Sequence, residues 1–302
     1  MSKENSKENR MTRLKFRLLG PILAGAVLAG CAGTPHTSEP DRVGSVRLVE
    51  YQDIEWGALN PARGDNSPRA GTLWGDRTST GPSGFLVRFE DGFSSPPHIH
   101  NVTYRGVVIH GLVHNDDPDA ERMWLPGGSF WTQPAGDVHI TAAKGGFNLA
   151  YIEIDEGPYL VQPTEEAFDD EDVPVNVDAS NLVWLDASSM RWIGPDGGEP
   201  QPGGAAIALL WGDPQDDNPG GSMVRLPAGF KGEIRTDAAQ FRAVVIRGEM
   251  GLDPADASGV TSLPAGSCFA SDGGATQRIV AANAGETILY VRTDAPYRVI
   301  AH

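Results

Sequence analysis

Short apolar runs bounded by Gly, Asp, Asn or Pro recur along the chain from about residue 43 to its end. Four clear examples are Gly84–Phe89, Tyr104–Ile109, Phe147–Ile152 and Thr287–Val291. This pattern is typical of many short strands joined by tight turns. The 37 Gly and 23 Pro are spread throughout and leave little room for long helices. We therefore predict an all-β fold.

The apolar blocks occur twice, at a shift of about 137 residues with one later single-residue insertion. Such internal similarity at a fixed shift indicates a repeated structural unit. The matched blocks include Leu73-Trp-Gly-Asp76 with Leu210-Trp-Gly-Asp213, Gly84-Phe-Leu-Val-Arg88 with Gly221-Ser-Met-Val-Arg225, Val107-Val-Ile-His-Gly111 with Val244-Val-Ile-Arg-Gly248, and Pro158-Tyr159 with Pro296-Tyr297. We predict two consecutive β-domains, residues 44–179 and residues 180–302.

The first 30 residues contain a basic segment and a short apolar run from Leu18 to Leu28, and Leu28-Ala-Gly-Cys31 follows. The run is shorter than the roughly 20 apolar residues that a membrane-spanning helix needs. This segment resembles a bacterial lipoprotein signal peptide, which implies removal of residues 1–30 and lipidation of Cys31. An ordinary signal peptide with a chance Cys is the alternative reading, and Met11 is an alternative start to Met1.

Residues 31–43 are rich in Gly, Pro, Thr, Ser and Asp, and we predict a flexible linker here. His36 lies in this linker, where we expect it to be solvated. The resemblance to sorted lipoproteins, with Ala32 after Cys31, implies anchoring at the outer membrane, facing the periplasm. The only contact with the membrane would then be the N-terminal lipid.

The formal net charge is −16, and the first 30 residues carry six Lys or Arg and two Glu. Removal of that net +4 leaves a charge near −20. So acidic a protein is a poor partner for nucleic acid. Of the two Cys, Cys268 lies in an apolar run and has no partner if Cys31 is lipidated, so we expect a buried, inert thiol and no disulfide.

The histidines concentrate in one stretch, and five of the seven lie between His98 and His139. His98 and His100 follow a Gly/Pro-rich turn and are two residues apart, so on a strand both imidazoles point to the same face. Two such imidazoles can chelate one metal ion, and His139 is the candidate third ligand. His114 falls in a turn-like His-Asn-Asp-Asp-Pro segment, where we expect it to be exposed.

These stretches resemble the two sequence motifs of the cupin superfamily. The matching positions of the first motif are Gly92, His98, His100 and Gly111, and those of the second are Gly128, Pro134, Gly136 and His139. The resemblance implies two tandem, jelly-roll-like cupin barrels. The whole region also looks like an uncharacterised family of bacterial double-cupin proteins.

Two positions depart from the cupin motifs, because Tyr104 replaces the usual Glu ligand and Ala143 replaces an Asn. The loss of the Glu resembles the three-His cupin dioxygenases that cleave acetylacetone or oxidise thiols. Tyr104 could then ligate the metal weakly, contact substrate or oxygen, or only fill space. Glu153 is a further candidate acid or general base.

The repeat provides an internal control for these residues. His98 aligns with Arg235, His100 with Asp237, Tyr104 with Phe241, and His139 with Gln277. The second unit therefore keeps the scaffold without the imidazoles. We predict a metal site in the first domain and a structural role for the second.

The sequence thus favours a metal-dependent enzyme that acts on a small molecule, with a three-His Fe(II)-type oxygenase as its most concrete form. Hydrolytic, isomerising or lyase chemistry at the same site is also compatible with the fold. The expected cofactor is one divalent transition metal, Fe, Mn, Ni or Zn. One alternative is a non-catalytic module that binds a sugar, metabolite or metal at the cell surface, and another is a purely structural role in which the His cluster is vestigial. A homodimer is compatible with either function.

Overall fold

The computed structural model describes residues 42–43, 46–194, 204–212, 218–253 and 259–302. The predicted signal peptide, the lipidation site Cys31, His36 and most of the predicted linker lie outside these ranges. The described chain is built of β-strands, which confirms the all-β prediction. Its helices are all short 3-10 helices, and they cover Tyr51–Asp53, Pro61–Asn66, Thr164–Glu166 and Ala179–Asn181.

The N-terminal half contributes strands β1 to β12. Their bounds are Arg42–Val43 (β1), Val46–Val49 (β2), Trp56–Ala58 (β3), Arg69–Trp74 (β4), Ser83–Phe89 (β5), Ile99–His100 (β6), Tyr104–Asp116 (β7), Leu125–Pro126 (β8), Phe130–Gln133 (β9), Ile140–Ile154 (β10), Val161–Gln162 (β11) and Val175–Val177 (β12). An eight-stranded sheet has the order β12-β9-β7-β10-β5-β4-β3, with β8 paired to β7. A separate pair, β11-β6, carries the first histidines.

The C-terminal half contributes strands β13 to β22. Their bounds are Ala206–Trp211 (β13), Gly220–Leu226 (β14), Lys231–Thr236 (β15), Gln240–Arg247 (β16), Glu249–Asp253 (β17), Thr261–Pro264 (β18), Cys268–Asp272 (β19), Ala275–Ala281 (β20), Thr287–Thr293 (β21) and Tyr297–Ala301 (β22). They form a seven-stranded sheet of order β1-β2-β19-β16-β21-β14-β13 and a five-stranded sheet of order β18-β17-β20-β15-β22. No described sheet closes on itself, so neither half is a fully closed barrel.

The N-terminal strands cross from one half to the other. β2 pairs antiparallel with β19, with Val49 opposite Cys268 and Val46 opposite Ser271. Two strands that precede the first sheet in sequence therefore extend the sheet of the second half. The pairing of β2 with β19 connects the two halves at one edge of the sheet. The domain boundary between residues 179 and 180 stays a prediction.

Three apolar clusters form the core. One fills the C-terminal half, with side chains from both of its sheets, such as Val224 of β14 and Ile279 of β20. A second belongs to the N-terminal half and includes Phe85 and Ile152. The third combines side chains of both halves, such as Leu86 and Tyr290. Because this third cluster is shared, each half buries part of its apolar surface against the other.

A buried ionic network lies within the contact between the halves. Glu153 faces Gly84 across the β10–β5 pair, and Arg292 faces Gly221 across the equivalent β21–β14 pair. The two repeat-related side chains meet, with Arg292 Nη1 3.2 Å from Glu153 Oε1. The hydroxyls of Tyr151 and Tyr290 donate to the same carboxylate at 2.9 and 2.7 Å. Glu153 and Arg292 occupy equivalent positions in the two halves and form an ion pair across the contact between them. We call this contact, with Tyr151 and Tyr290, the joint between the halves.

The glycines of this joint leave room for two tryptophans. An added Cβ at Gly84 would lie 2.1 Å from Nε1 of Trp74, and one at Gly221 would lie 1.8 Å from Nε1 of Trp211. Each indole then donates to a tyrosine of the network, at 3.1 Å in the first half and 2.8 Å in the second. This explains why the Trp and Gly positions recur in both halves. Across the part of the chain described, no helix is long and apolar enough to span a membrane.

Candidate metal centre

The structure brings the three predicted imidazoles together. His100 is the last residue of β6, and His98 and His139 form an isolated antiparallel bridge just before β6 and β10. Their backbones exchange two hydrogen bonds, His98 N to His139 O at 3.1 Å and His139 N to His98 O at 3.0 Å. One ligand atom from each of the three side chains lies within 4.8 Å of the other two. Among the residues described, this is the one such cluster of three His, Cys, Asp or Glu.

Gly136 allows the turn that presents His139. Its φ is +77°, a conformation that L side chains rarely adopt, and an added Cβ would lie 2.3 Å from the carbonyl oxygen of Phe168. The Gly136 amide also donates to the carbonyl of His100 at 2.8 Å. Gly136 therefore connects the loop that carries His139 to the strand that carries His100.

Backbone carbonyls orient all three rings. Nδ1 of His98 lies 2.9 Å from the carbonyl oxygen of Pro96, and Nδ1 of His100 lies 2.8 Å from that of Leu160. Nδ1 of His139 lies 3.0 Å from the carbonyl oxygen of Asp137. A carbonyl accepts only, so each Nδ1 must carry the proton and each Nε2 keeps its lone pair. This is the arrangement by which proteins prepare imidazoles as metal ligands.

Burial keeps these imidazoles neutral. It lowers the pKa of His100 well below its usual value and that of His139 to about 3, and the neighbouring histidines lower both further. The pKa of His98 is also lowered, mainly by burial. Because neutral imidazole is the form that binds a metal, the cluster is ready to bind one at neutral pH. The donor set therefore fits a divalent transition metal.

Two tyrosine hydroxyls lie beside the ligand nitrogens. The hydroxyl oxygen of Tyr104 is 3.3 Å from Nε2 of His139 and donates to Oδ1 of Asn115 at 2.7 Å. That of Tyr159 is 3.0 Å from Nε2 of His100, and the two rings stack with centroids 4.2 Å apart. Burial raises the pKa of both phenols, so both stay protonated. Tyr104 thus points into the site and not away from it.

Tyr159 reaches the site through the β11–β6 pair, in which Val161 lies opposite His100. Asn101 secures the same segment, since its amide donates to the carbonyl of Pro158 and its Oδ1 accepts from the amide of Leu160. Sequence reasoning missed Tyr159 as a site residue. The match of Pro158-Tyr159 with Pro296-Tyr297 indicates that Tyr159 is common to both halves, but it gives no sign of a place beside the histidines.

A cavity of about 310 Å³ opens beside the histidines, at the lower end of the usual size for ligand sites. His98, His100, Tyr104 and Tyr159 line it, whereas His139 lies fully buried behind them. Most of the wall is apolar and includes Leu59, Val87, Phe89, Phe93, Trp131 and Ile152. The cavity can therefore hold a small molecule next to the ligand cluster.

Glu153 does not belong to this site, which corrects its assignment as a candidate catalytic acid. It follows Ile152, which lines the cavity, and alternate residues of a strand point to opposite faces. Its carboxylate instead accepts hydrogen bonds from Tyr151, Tyr290 and Arg292 in the joint between the halves. Glu153 therefore serves the contact between the halves and not the cavity.

His114 corrects a second expectation, because it is buried within β7 and not exposed in a turn. β7 continues to Asp116 through its pairing with Ile140–Lys144, which the Asn-Asp-Asp sequence did not indicate. His110 is exposed, with Nδ1 2.9 Å from the carbonyl oxygen of Phe147. Cys268 is buried, as expected, and burial raises the pKa of its thiol to about 12.

The equivalent positions in the second half have no imidazole. Phe241 is fully buried and packs edge-on against Tyr297, as Tyr104 packs against Tyr159. Gln277 is buried and donates to Ser271 at 3.2 Å. Arg235 is exposed and pairs with Glu233. The second half thus keeps the shape of the site and fills it with core residues.

Comparison with known proteins agrees with this architecture. The sequence model of DUF4437, a domain of unknown function, matches residues 47–300. A candidate dioxygenase of Nostoc punctiforme superposes with a TM-score of 0.61 at 15% identity, over 83% of each chain. No curated protein matches the sequence significantly.

Two further solved structures share the fold. The oxalate decarboxylase of Lactobacillus farciminis, in a formate complex, has a TM-score of 0.55 at 12% identity, over 86% of this chain and 89% of its own. The vicilin of Corylus avellana, hazelnut, has a TM-score of 0.53 at 12% identity, over 84% and 87%. At such identities the similarity establishes the cupin fold alone.

Proposed function

The chain belongs to the DUF4437 family, and we propose that it is a metal-dependent dioxygenase that acts on a small molecule in the first half. The observation that carries the proposal is the orientation of the three imidazoles. Each Nδ1 is bound to a backbone carbonyl, so the three Nε2 atoms are left for one metal ion beside a cavity. The alternative of a binding module without turnover becomes an outcome of the test below.

Three neutral protein ligands leave coordination positions open, as catalytic metal sites do. When bound there, a divalent metal such as Fe(II) would supply positions at which O₂ and a chelating substrate can react. His98, His100 and His139 would hold it. Tyr104, at the position of the usual cupin Glu, adds no negative charge because its phenol stays protonated.

The remaining residues orient the reactants and exclude water. The Tyr159 hydroxyl lies at Nε2 of His100, from where it can donate to a ligand in the cavity. The Tyr104 hydroxyl is held by Asn115, whose Oδ1 also accepts from Thr141 at 2.7 Å and whose amide donates to Gln133 at 2.8 Å. The apolar wall limits the access of water to the reacting atoms.

Oxygen uptake by the Fe(II)-loaded full chain tests this function. We expect uptake with at least one class of chelating substrate, among diketones, thiols and catechols, and loss of uptake in the His98→Ala/His139→Ala variant. His110→Ala is the matched control, because it removes an exposed imidazole whose Nδ1 also meets a carbonyl. Saturable binding of these compounds without oxygen uptake would favour the binding module instead.

We also propose that lipidation of Cys31 anchors the chain at the cell envelope. The support is the lipobox-like Leu28-Ala-Gly-Cys31 after a basic and apolar segment. Palmitate labelling of cells that produce the chain would test it. The label should be absent from Cys31→Ala, whereas equal labelling of both proteins would contradict the anchor.

A further inference from the structure

The charged groups on the cavity wall differ from those of the protein as a whole. The chain has 40 Asp and Glu and a formal net charge of −16, yet none of the described residues that line the cavity carries a carboxylate. Arg63 is the one Lys or Arg of the described residues that does. The cavity is therefore a locally cationic site in an acidic protein, and a bound metal would add further positive charge.

Arg63 lines the cavity and is anchored through its backbone. It is half-buried and lies in the 3-10 helix Pro61–Asn66, whose first residue follows the cap residue Asn60. The Asn60 side chain accepts from the amide of Ala62 at 3.1 Å, and the Asn60 carbonyl accepts from the amide of Arg63 itself at 3.1 Å. The guanidinium carbon lies 5.6 Å from the ring centroid of Phe93, another wall residue.

No described residue forms an ion pair or a hydrogen bond with the Arg63 guanidinium, although nearly every other cavity side chain with a polar group has one. Among the wall side chains, Gln162 and not Arg63 is bonded to a carboxylate, and it donates to Glu166 at 2.6 Å. A planar guanidinium with all its donors free, over an aromatic ring, matches the geometry of a carboxylate. The cavity wall as a whole is mainly apolar.

We infer that the substrate of the proposed enzyme is a small carboxylate, with an apolar body, whose charged end binds Arg63 while its other end lies beside His98 and His100, where the metal would be held. This inference rests on the proposed function and names its substrate class. The side-chain amide of Asn60 is a second donor on the same cavity wall, since its NH₂ group has no acceptor among the described residues. Neutral compounds of the same shape would lack the contact with Arg63.

Binding calorimetry under anaerobic conditions tests the inference with the metal-loaded full chain. The probes are 3,4-dihydroxyphenylacetate and 4-ethylcatechol, which share a chelating catechol and differ in the carboxylate. We expect the carboxylate to bind about tenfold to a hundredfold more tightly, as a charge-assisted contact allows. The preference should disappear in Arg63→Gln and return in part in Arg63→Lys.

Arg122→Gln is the matched control, because Arg122 is also an arginine over an aromatic ring, 6.0 Å from the centroid of Trp124, and lies outside the cavity wall. It should keep the full preference. Equal affinity of the two probes for a metal-loaded wild-type chain, or no binding of either at millimolar concentration, would overturn the inference and leave the metal centre intact. A chain that takes up no metal would overturn the proposed function together with it.

Discussion

The two halves share one scaffold and use its interior differently. In the first half, Tyr104, His100 and Tyr159 surround a cavity of about 310 Å³. In the second half, the repeat-related Phe241 and Tyr297 lie in a continuous apolar core with Ile234 and Ile279. The imidazoles of the first half are therefore not needed to form the fold, because the second half folds with Arg, Asp and Gln at those positions.

This difference separates residues of the site from residues of the scaffold. Features that recur in both halves, such as the Trp–Gly pairs, serve the joint between them. Features that occur once, such as the three histidines and Arg63, serve the cavity. Glu153 and Arg292 form a third class of residue, because they occupy equivalent positions in the two halves but carry opposite charges and pair with each other. The predictions below test this separation.

The largest expected effect concerns the joint. Arg292→Leu should lower the free energy of unfolding by about 3–5 kcal/mol, because it leaves the buried charge of Glu153 without its partner. Chemical denaturation of the metal-free chain measures it. The double variant Glu153→Leu/Arg292→Leu should recover much of this loss. A single variant as stable as the wild type would show that the ion pair does not hold the halves together.

Truncation of one isoleucine in each half compares the packed core of the second half with the cavity wall of the first half. Ile279→Ala, in the packed second core, should cost about 4 kcal/mol, and Ile152→Ala, at the cavity wall, about 2–3 kcal/mol. The difference is expected because Ile152 already borders open space, so its truncation creates less new cavity. Equal losses in denaturant titrations would mean that the first half is packed as tightly as the second.

Exchange of one hydroxyl between the halves should have a smaller effect. Tyr104→Phe copies the second half and should cost about 1 kcal/mol, because Asn115 loses one of its two donors. Phe241→Tyr should cost more, since the new hydroxyl would enter an apolar core. Thermal unfolding of both variants measures the pair. The opposite order would contradict the assignment of Tyr104 to a polar site.

Acidification should destabilise the metal-free chain in part through the buried imidazoles of the first half. The pKa of His139 falls from 6.5 to about 3 on folding, so below pH 6.5 the unfolded chain binds a proton that the folded chain does not. Stability should therefore decrease as the pH falls from 6.5 towards 3, by about 1 kcal/mol at pH 5.5 from this residue. His139→Gln copies Gln277 of the second half and should show a shallower dependence. Equal slopes would contradict a buried, neutral His139.

Much of the site could be predicted from local pattern. Two-residue spacing placed His98 and His100 on one face, and the second motif located His139. Arg63 could not be predicted, because it lies in a 3-10 helix between strands and has no periodic signal. Tyr159 depends on the long-range pairing of β11 with β6. The role of Glu153 could not be predicted, because two of its three partners, Tyr290 and Arg292, come from the other half. The spacing of residues within one half does not indicate how the two halves pack together.

The pairing of β2 with the sheet of the second half could not be predicted either, because it also depends on contacts between the halves. Val46–Val49 reads as an ordinary edge strand, and its partner, Cys268–Asp272, is more than 200 residues away in sequence. Strand parity gives the face of each residue but not the sheet that accepts the strand. The all-β class and the repeat were therefore accessible from the sequence, whereas the connection between the halves required the structure.

Metal content is the most direct test of the central claim that only the first half forms a metal centre. Elemental mass spectrometry of the purified full chain should find about one divalent transition metal per chain. The metal should be absent from His98→Ala/His139→Ala and retained in Gln277→Ala and His110→Ala. No metal in the reconstituted wild type, or metal that survives the loss of both histidines, would contradict the account.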